Sequence, residues 1–228
     1  MTDYKVLREQ KSCFGGTGKW TPYKPRKVSG RLVPCAHGLH YCRDEQVLDW
    51  LDDELWRFVD LAPDGAIAML DKRVTSEGMI TEKYETWGAE AAKLLAIDCA
   101  RLAVNWVAPE ETREKLHACL DTAVGYMAGY CDNATLMSAK ILSEEEFAFA
   151  MAEGGLGEDY AANAAAIAVD NVIKWHRNGE RASEVIMAAD NAVEIALGCG
   201  HEAAMRKAQY NLLCLYLKGE QGPFVGEE

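Results

Sequence analysis

The 228-residue chain holds no run near the ~20 uninterrupted apolar residues that a membrane-spanning helix needs. Its start, Met1-Thr2-Asp3-Tyr4-Lys5, lacks the apolar segment of a secretory signal. Proline is scarce, with six residues, which excludes proline-rich and collagen-like chains. Positive charge is in deficit: 24 Lys and Arg stand against 36 Asp and Glu, a formal net charge of −12. A chain with that balance does not offer a nucleic-acid backbone a broadly cationic surface. Gly-x-Ser-x-Gly elbows, His-Glu-x-x-His helices and dinucleotide-binding glycine fingerprints are all missing, so hydrolase and dehydrogenase readings lack a motif and no cofactor is implied. Against these absences, 49% of the residues are apolar and 26% charged, the mixture of a soluble globular protein. Eight cysteines occur, several inside apolar helical patterns, where a reduced thiol acts as a small hydrophobe. A reduced, cytoplasmic protein is expected.

The charge is unevenly spread. Residues 1–31 carry eight basic and two acidic side chains, a net of +6. Residues 32–86 sum to −7 and residues 87–228 to −11. A basic first segment on an acidic body implies an anion-binding surface or an arm that neutralises its own domain.

The local grammar changes near Trp87. Before it, Tyr4–Leu7, Arg31–Val33, Gly38–Cys42, Trp56–Leu61, Ile67–Leu70 and Val74–Ile80 read as short strands, with Asp44 as N-cap of a short helix bearing Val47, Leu48 and Leu51. After it, Ala91, Leu95, Cys99, Leu102 and Trp106 form one helical stripe, with Asp98 and Arg101 turned away. A second helix opens at Pro109, and Ser143 with Glu146 reads as a capping box opening a third that buries Phe147 and Met151. Gly154–Gly157 breaks the chain, and helices follow near 158–177, 181–198 and 200–217. The expected fold class is α+β: a small mixed module over 1–86, an acidic, alanine-rich helical bundle over 87–218, and a loose tail over 219–228.

Three groups of residues carry possible chemistry. Asp98, Asp121, Asp132, Asp170 and Asp190 each sit in an apolar–Asp–small–apolar context, as one acidic groove or as separate solvated faces. Phe14-Gly15-Gly16-Thr17-Gly18-Lys19-Trp20 resembles a phosphate loop but puts Cys13 and Trp20 where that loop needs glycine and Ser or Thr. A glycine-rich turn beside Lys19 can still hold an anion. Cys35-Ala36-His37-Gly38-Leu39-His40-Tyr41-Cys42 packs four zinc-type ligands, Cys35, His37, His40 and Cys42, into eight residues, with Cys13 available to assist. The alternative puts Leu39 and Tyr41 in a core and leaves His40 hydrogen-bonded at a sheet edge.

Taken together, Tyr4–Arg8, Cys13–Gly16, Gly18–Trp20 and the Cys-x-x-Gly-Leu-His-x-Cys segment at 35–42 resemble a module common in bacteriophage and prophage proteins. The same order of elements faintly resembles ADP-ribosyltransferase folds, with His40 where that family places tyrosine and no assignable catalytic glutamate. That resemblance implies a nucleotide pocket lined by Arg8 and His40, to which Lys19 and His37 add basic groups. The helices from Trp87 are similar to an all-helical family of bacterial immunity proteins. These likenesses imply a non-enzymatic phage accessory protein in the host cytoplasm. Its acidic helical surface would bind a host or toxin protein that is basic or handles nucleic acid, with no direct nucleic-acid or membrane contact. A nucleotide-binding or ADP-ribosyltransferase-like role for the first module, and a zinc-stapled structural role, are the alternatives.

Overall fold

The structure, a computed structural model, describes residues 1–12, 18–106, 110–153, 158–178, 192, 194, 200–220, 222 and 223. It is α+β, with its strands in the first part of the chain and its long helices in the second. Backbone contacts divide it into two units, Met1–Gly88 and Ala89–Glu228.

The first unit is an antiparallel sheet of β1 (Asp3–Arg8), β2 (Lys11–Ser12), β3 (Arg26–Lys27), β4 (Leu39–Arg43), β5 (Glu54–Asp60), β6 (Ile67–Ala68), β7 (Arg73–Thr75) and β8 (Glu77–Lys83). The order is β3-β8-β5-β1-β4-β7-β6, and β2 pairs with β1. Leu7, Trp20, Leu39, Tyr41, Phe58 and Ile80 form its core, and Tyr41 stacks on Phe58 at 4.7 Å between ring centroids. Burying one such large side chain contributes about 2 kcal/mol, so this cluster fixes the register of β1, β4, β5 and β8.

The expected strand at Arg31–Val33 is replaced by a tight turn closed by a single bridge, Val33 to His37. Pro34 follows at once and has no N–H to extend a ladder. Asp44 is not an N-cap. It sits at φ 49° in the first turn of a 3-10 helix over Asp44–Trp50, and its carboxylate accepts from the Thr2 amide at 2.8 Å. Val47, Leu48 and Leu51 are buried as expected. Trp87 belongs to this unit: it is 3% exposed and its indole N–H donates to Asp52 O at 2.8 Å.

The second unit contains α1 (Ala89–Val104), α2 (Glu110–Met127), α3 (Asn133–Glu153), α4 (Glu158–Asn178) and α5 (Glu202–Leu217). Buried alanines at 161, 162, 164, 165 and 168 of α4 let its backbone come close to α1 and α3. Helix α1 is buried on almost every side, which overturns the single-stripe expectation: Asp98 and Arg101 lie inside, and Trp106 is 41% exposed. The Ser143–Glu146 capping box is also overturned. Ser143 lies inside α3, where its hydroxyl donates back to Lys140 O at 2.8 Å, while Glu146 accepts from Lys115 at 3.0 Å. The true start is eleven residues earlier, where Asp132 Oδ1 accepts from the Thr135 amide at 2.8 Å. Met151 is 59% exposed rather than buried. The Gly154–Gly157 break, the Pro109 start and most of the 181–198 helix lie outside the described residues. Within the tail expected to be loose, Gly222 is buried, and a Cβ there would fall 1.8 Å from Asp98 Oδ2. No described helix is long and apolar enough to cross a membrane.

Candidate functional site

Pairing of β4 between β1 and β7 places a cavity of about 470 Å³ in the sheet unit. Its lining brings together Lys5 of β1, Arg26 of β3, His40 of β4, Lys72 before β7, and Cys35 and His37 of the tight turn. Among the described residues, no Asp or Glu lines it. In a chain of net charge −12 that is a segregated patch of positive charge.

Each cation is held in place. Lys5 is only 6% exposed, donates to His40 O, and lies over the Trp20 ring at 5.2 Å. Arg26 covers the same ring at 4.7 Å and donates to Gly18 O at 3.2 Å. Lys72 sits 4.1 Å over the Trp50 ring and pairs with Asp71 at 3.1 Å. An aromatic face under a cation is worth about 0.5–2 kcal/mol, and here it also fixes where the charge points. Burial pulls the Lys72 pKa down, but Asp71 and the Cys35 sulfur outweigh it and hold the ammonium above its ordinary value. Cavity-forming contacts depend on Gly38, whose φ is +142° and whose Cβ, if present, would lie 2.3 Å from Val74 Cγ1.

His40 Nε2 accepts the Cys35 amide at 3.0 Å, so that nitrogen carries no proton. Burial first, then Lys5 and Lys72, push His40 below its ordinary value, with Asp71 opposing, and the ring is neutral near pH 7. His37 Nε2 donates to Ser29 O at 2.9 Å. Cys35 itself is exposed and holds φ +63°, a left-handed conformation costing a residue with a Cβ about 1–2 kcal/mol.

The sequence-derived nucleotide set is therefore only half assembled. His37 and His40 line the cavity; Arg8 and Lys19 do not. Arg8 pairs with the buried Asp52 at 2.5 Å, and Lys19 is exposed at a bridge to Lys11. Lys5, Arg26 and Lys72 were missed. Lys5 stands among apolar neighbours in β1, and its place beside Lys72 in one cavity lining follows from the pairing of β1, β4 and β7, which has no linear signal.

The zinc reading is not supported. Among the described residues no group of three metal-ligating side chains converges. His40 Nε2 is occupied by an amide N–H, and burial pushes the Cys42 thiol up to about 12. Cys13 lies outside the described residues. Leu39 and Tyr41 do join the core, but β4 is an interior strand, so His40 is bonded to a turn rather than at a sheet edge.

Of the five aspartates of the acidic group, Asp98 is buried and the other three described ones are each engaged within the unit. Asp98 is 0% exposed and accepts from Tyr216 OH at 2.6 Å. Asp121 receives Arg101, Asp132 caps α3, and Asp170 binds Lys140 at 2.6 Å and Lys174 at 2.8 Å. Asp190 lies outside the described residues. Asp98 and Asp121 share Arg101, whereas Asp132 caps α3 and Asp170 holds two lysines, so the four described aspartates do not serve one common task.

No family model matches the chain, and no curated protein or solved structure is significantly similar to it.

Proposed function

We propose that the sheet unit is a binding domain for a small anionic ligand of the phosphate-ester or nucleotide class, and that the chain works by binding rather than catalysis. One observation carries this reading: Lys5, Arg26 and Lys72 line a single cavity without a lining carboxylate, in a strongly acidic protein. The cations are preorganised over Trp20 and Trp50, so little side-chain ordering is left for the ligand to bring about. With Asp71 beside Lys72, the local balance suits a ligand carrying two negative charges. A volume near 470 Å³ accommodates a drug- or nucleotide-sized molecule, and Val6, Val28 and Leu39 provide an apolar wall for its uncharged part. Capture of a basic partner by the helical acids has less support, because Asp98 is buried and Asp121, Asp132 and Asp170 are already bonded.

The test is the thermal midpoint of the intact protein across a panel of phosphate esters, nucleotides and dicarboxylates. A ligand at a hundred times its Kd stabilises by about 2.7 kcal/mol, a shift of several degrees. The shift is expected to vanish in Lys72→Met and Arg26→Gln. No shift with any anion would overturn the reading.

A further inference from the structure

The cavity also holds a nucleophile that anion binding alone does not use. Cys35 is exposed and unbridged, whereas Cys42, which lines the same cavity, is buried with its thiol pushed up to about 12. Two separate contacts set Cys35 in place. Its amide is tied to His40 Nε2 at 3.0 Å, and the turn around it is closed by the His37 amide donating to Val33 O at 2.7 Å. Lys72, whose side chain is 10% exposed, lines the same cavity as Cys35. The backbone at Cys35 is strained at φ +63°, and such strain is characteristic of functional positions. This is a cluster of thiol, ammonium and imidazole on a cationic wall rather than an isolated cysteine.

We propose that Cys35 is a modification site, its thiol exchanging with small disulfides that carry carboxylates to leave a mixed disulfide inside the cavity. The inference rests on the anion-binding reading, because Lys5 and Arg26 would draw in the carboxylates and hold the S–S bond near the Cys35 sulfur. In the step, Cys35 gives its proton to solvent and its sulfur attacks one sulfur of the reagent. A new S–S bond forms and the old one breaks. The departing half leaves with the electron pair as a thiolate beside Lys72 and takes up a proton. Cys35 is oxidised to the disulfide level, and half of the reagent is reduced to a thiol. The adduct would occupy the ligand's place, so modification and ligand binding exclude one another.

The experiment compares dithiodipropionate, which is anionic, with cystamine, which is cationic, on the intact protein. Each exchange rate is divided by that of the same reagent with a free model thiol, and peptide mass spectrometry locates the adduct. The normalised rate for the anionic disulfide is expected to be about tenfold higher or more. That excess should fall in Lys72→Met and in Arg26→Gln, stay in Lys27→Gln outside the cavity, and vanish with the adduct in Cys35→Ser. Pyrophosphate should slow the reaction in the unmodified sequence, a control independent of any variant's folding. Equal normalised rates, or adducts on a different cysteine, overturn the proposal. Should pyrophosphate alter tryptophan fluorescence yet leave the exchange rate unchanged, the thiol lies outside the site: the proposal falls and the anion-binding reading stands. If pyrophosphate neither binds nor slows the exchange and the rate ratio is one, both fall.

Discussion

The two units handle charge in opposite ways. In the helical unit, charge is neutralised where it is buried: Asp170 meets Lys140 and Lys174, and Arg101 lies between Asp98 and Asp121. In the sheet unit, Lys5, Arg26 and Lys72 are gathered around one cavity, and their support comes from tryptophan rings and two backbone carbonyls as well as from Asp71. Net charge therefore misdirects attention toward the helices, which contribute most of it. The place where like charges have been brought together is the smaller and less acidic unit.

The largest effect expected from a single change that sharpens this contrast is at Gly38. Its φ of +142° and the 2.3 Å approach of Val74 leave no room for a side chain beneath β4. Gly38→Ala should cost about 3 kcal/mol in a denaturant titration and weaken ligand binding with it. A loss under about 1 kcal/mol would mean that the cavity floor yields easily.

Next in size is a pair of changes in the helical unit. Asp170→Asn removes a carboxylate bonded to two lysines and should cost about 1.5 kcal/mol near neutral pH. Burial raises the Asp170 pKa, but the bonds from Lys140 and Lys174 outweigh it and hold it low. The stability it contributes is thus present above the ordinary carboxylate range and lost as pH falls through its depressed value. Asp98 has the opposite sign: burial holds its pKa high against Tyr216 and Arg101. Its favourable contribution is present below the ordinary range and lost as pH rises through the raised value. Thermal midpoints from pH 2 upward should show Asp170→Asn losing ground as pH rises toward 4 and staying behind above it, while Asp98→Asn gains on the unsubstituted protein only as pH rises beyond the ordinary carboxylate range. Parallel curves would contradict the assignment of these two environments.

The smallest effect belongs to the surface. Lys27 pairs with Glu77 at 2.7 Å, but its side chain is 73% exposed. Lys27→Ala should change stability by less than about 0.5 kcal/mol and leave anion binding intact. A clear loss of binding would mean that general positive charge, rather than the cavity, attracts the ligand.

Much of the fold was legible because strands and helices announce themselves by period. Tyr4–Leu7, Leu39–Cys42 and Trp56–Asp60 stand in strands, and helices appear where alanine and leucine recur every three or four residues. Caps were harder, since Ser143-x-x-Glu146 and Asp132-x-x-Thr135 both match a start signal and only packing decides between them. The site was legible at His37 and His40, which stand in a dense local motif. It was not legible at Lys5, a buried lysine within an apolar strand, or at Lys72, a loop lysine brought near by pairing of β4 with β7. Arg8 and Lys19 have the residue types of a phosphate site, but nothing local reveals that Asp52 claims Arg8.

The most direct measurement is a calorimetric titration of the intact protein with pyrophosphate, repeated at two salt concentrations and with Lys72→Met. Saturable one-to-one binding is expected, weaker at higher salt and reduced about tenfold or more in the variant, in keeping with loss of a charge-assisted contact. Heat that never saturates, or an affinity unchanged by removing Lys72, would contradict the claim that this cavity holds an anion.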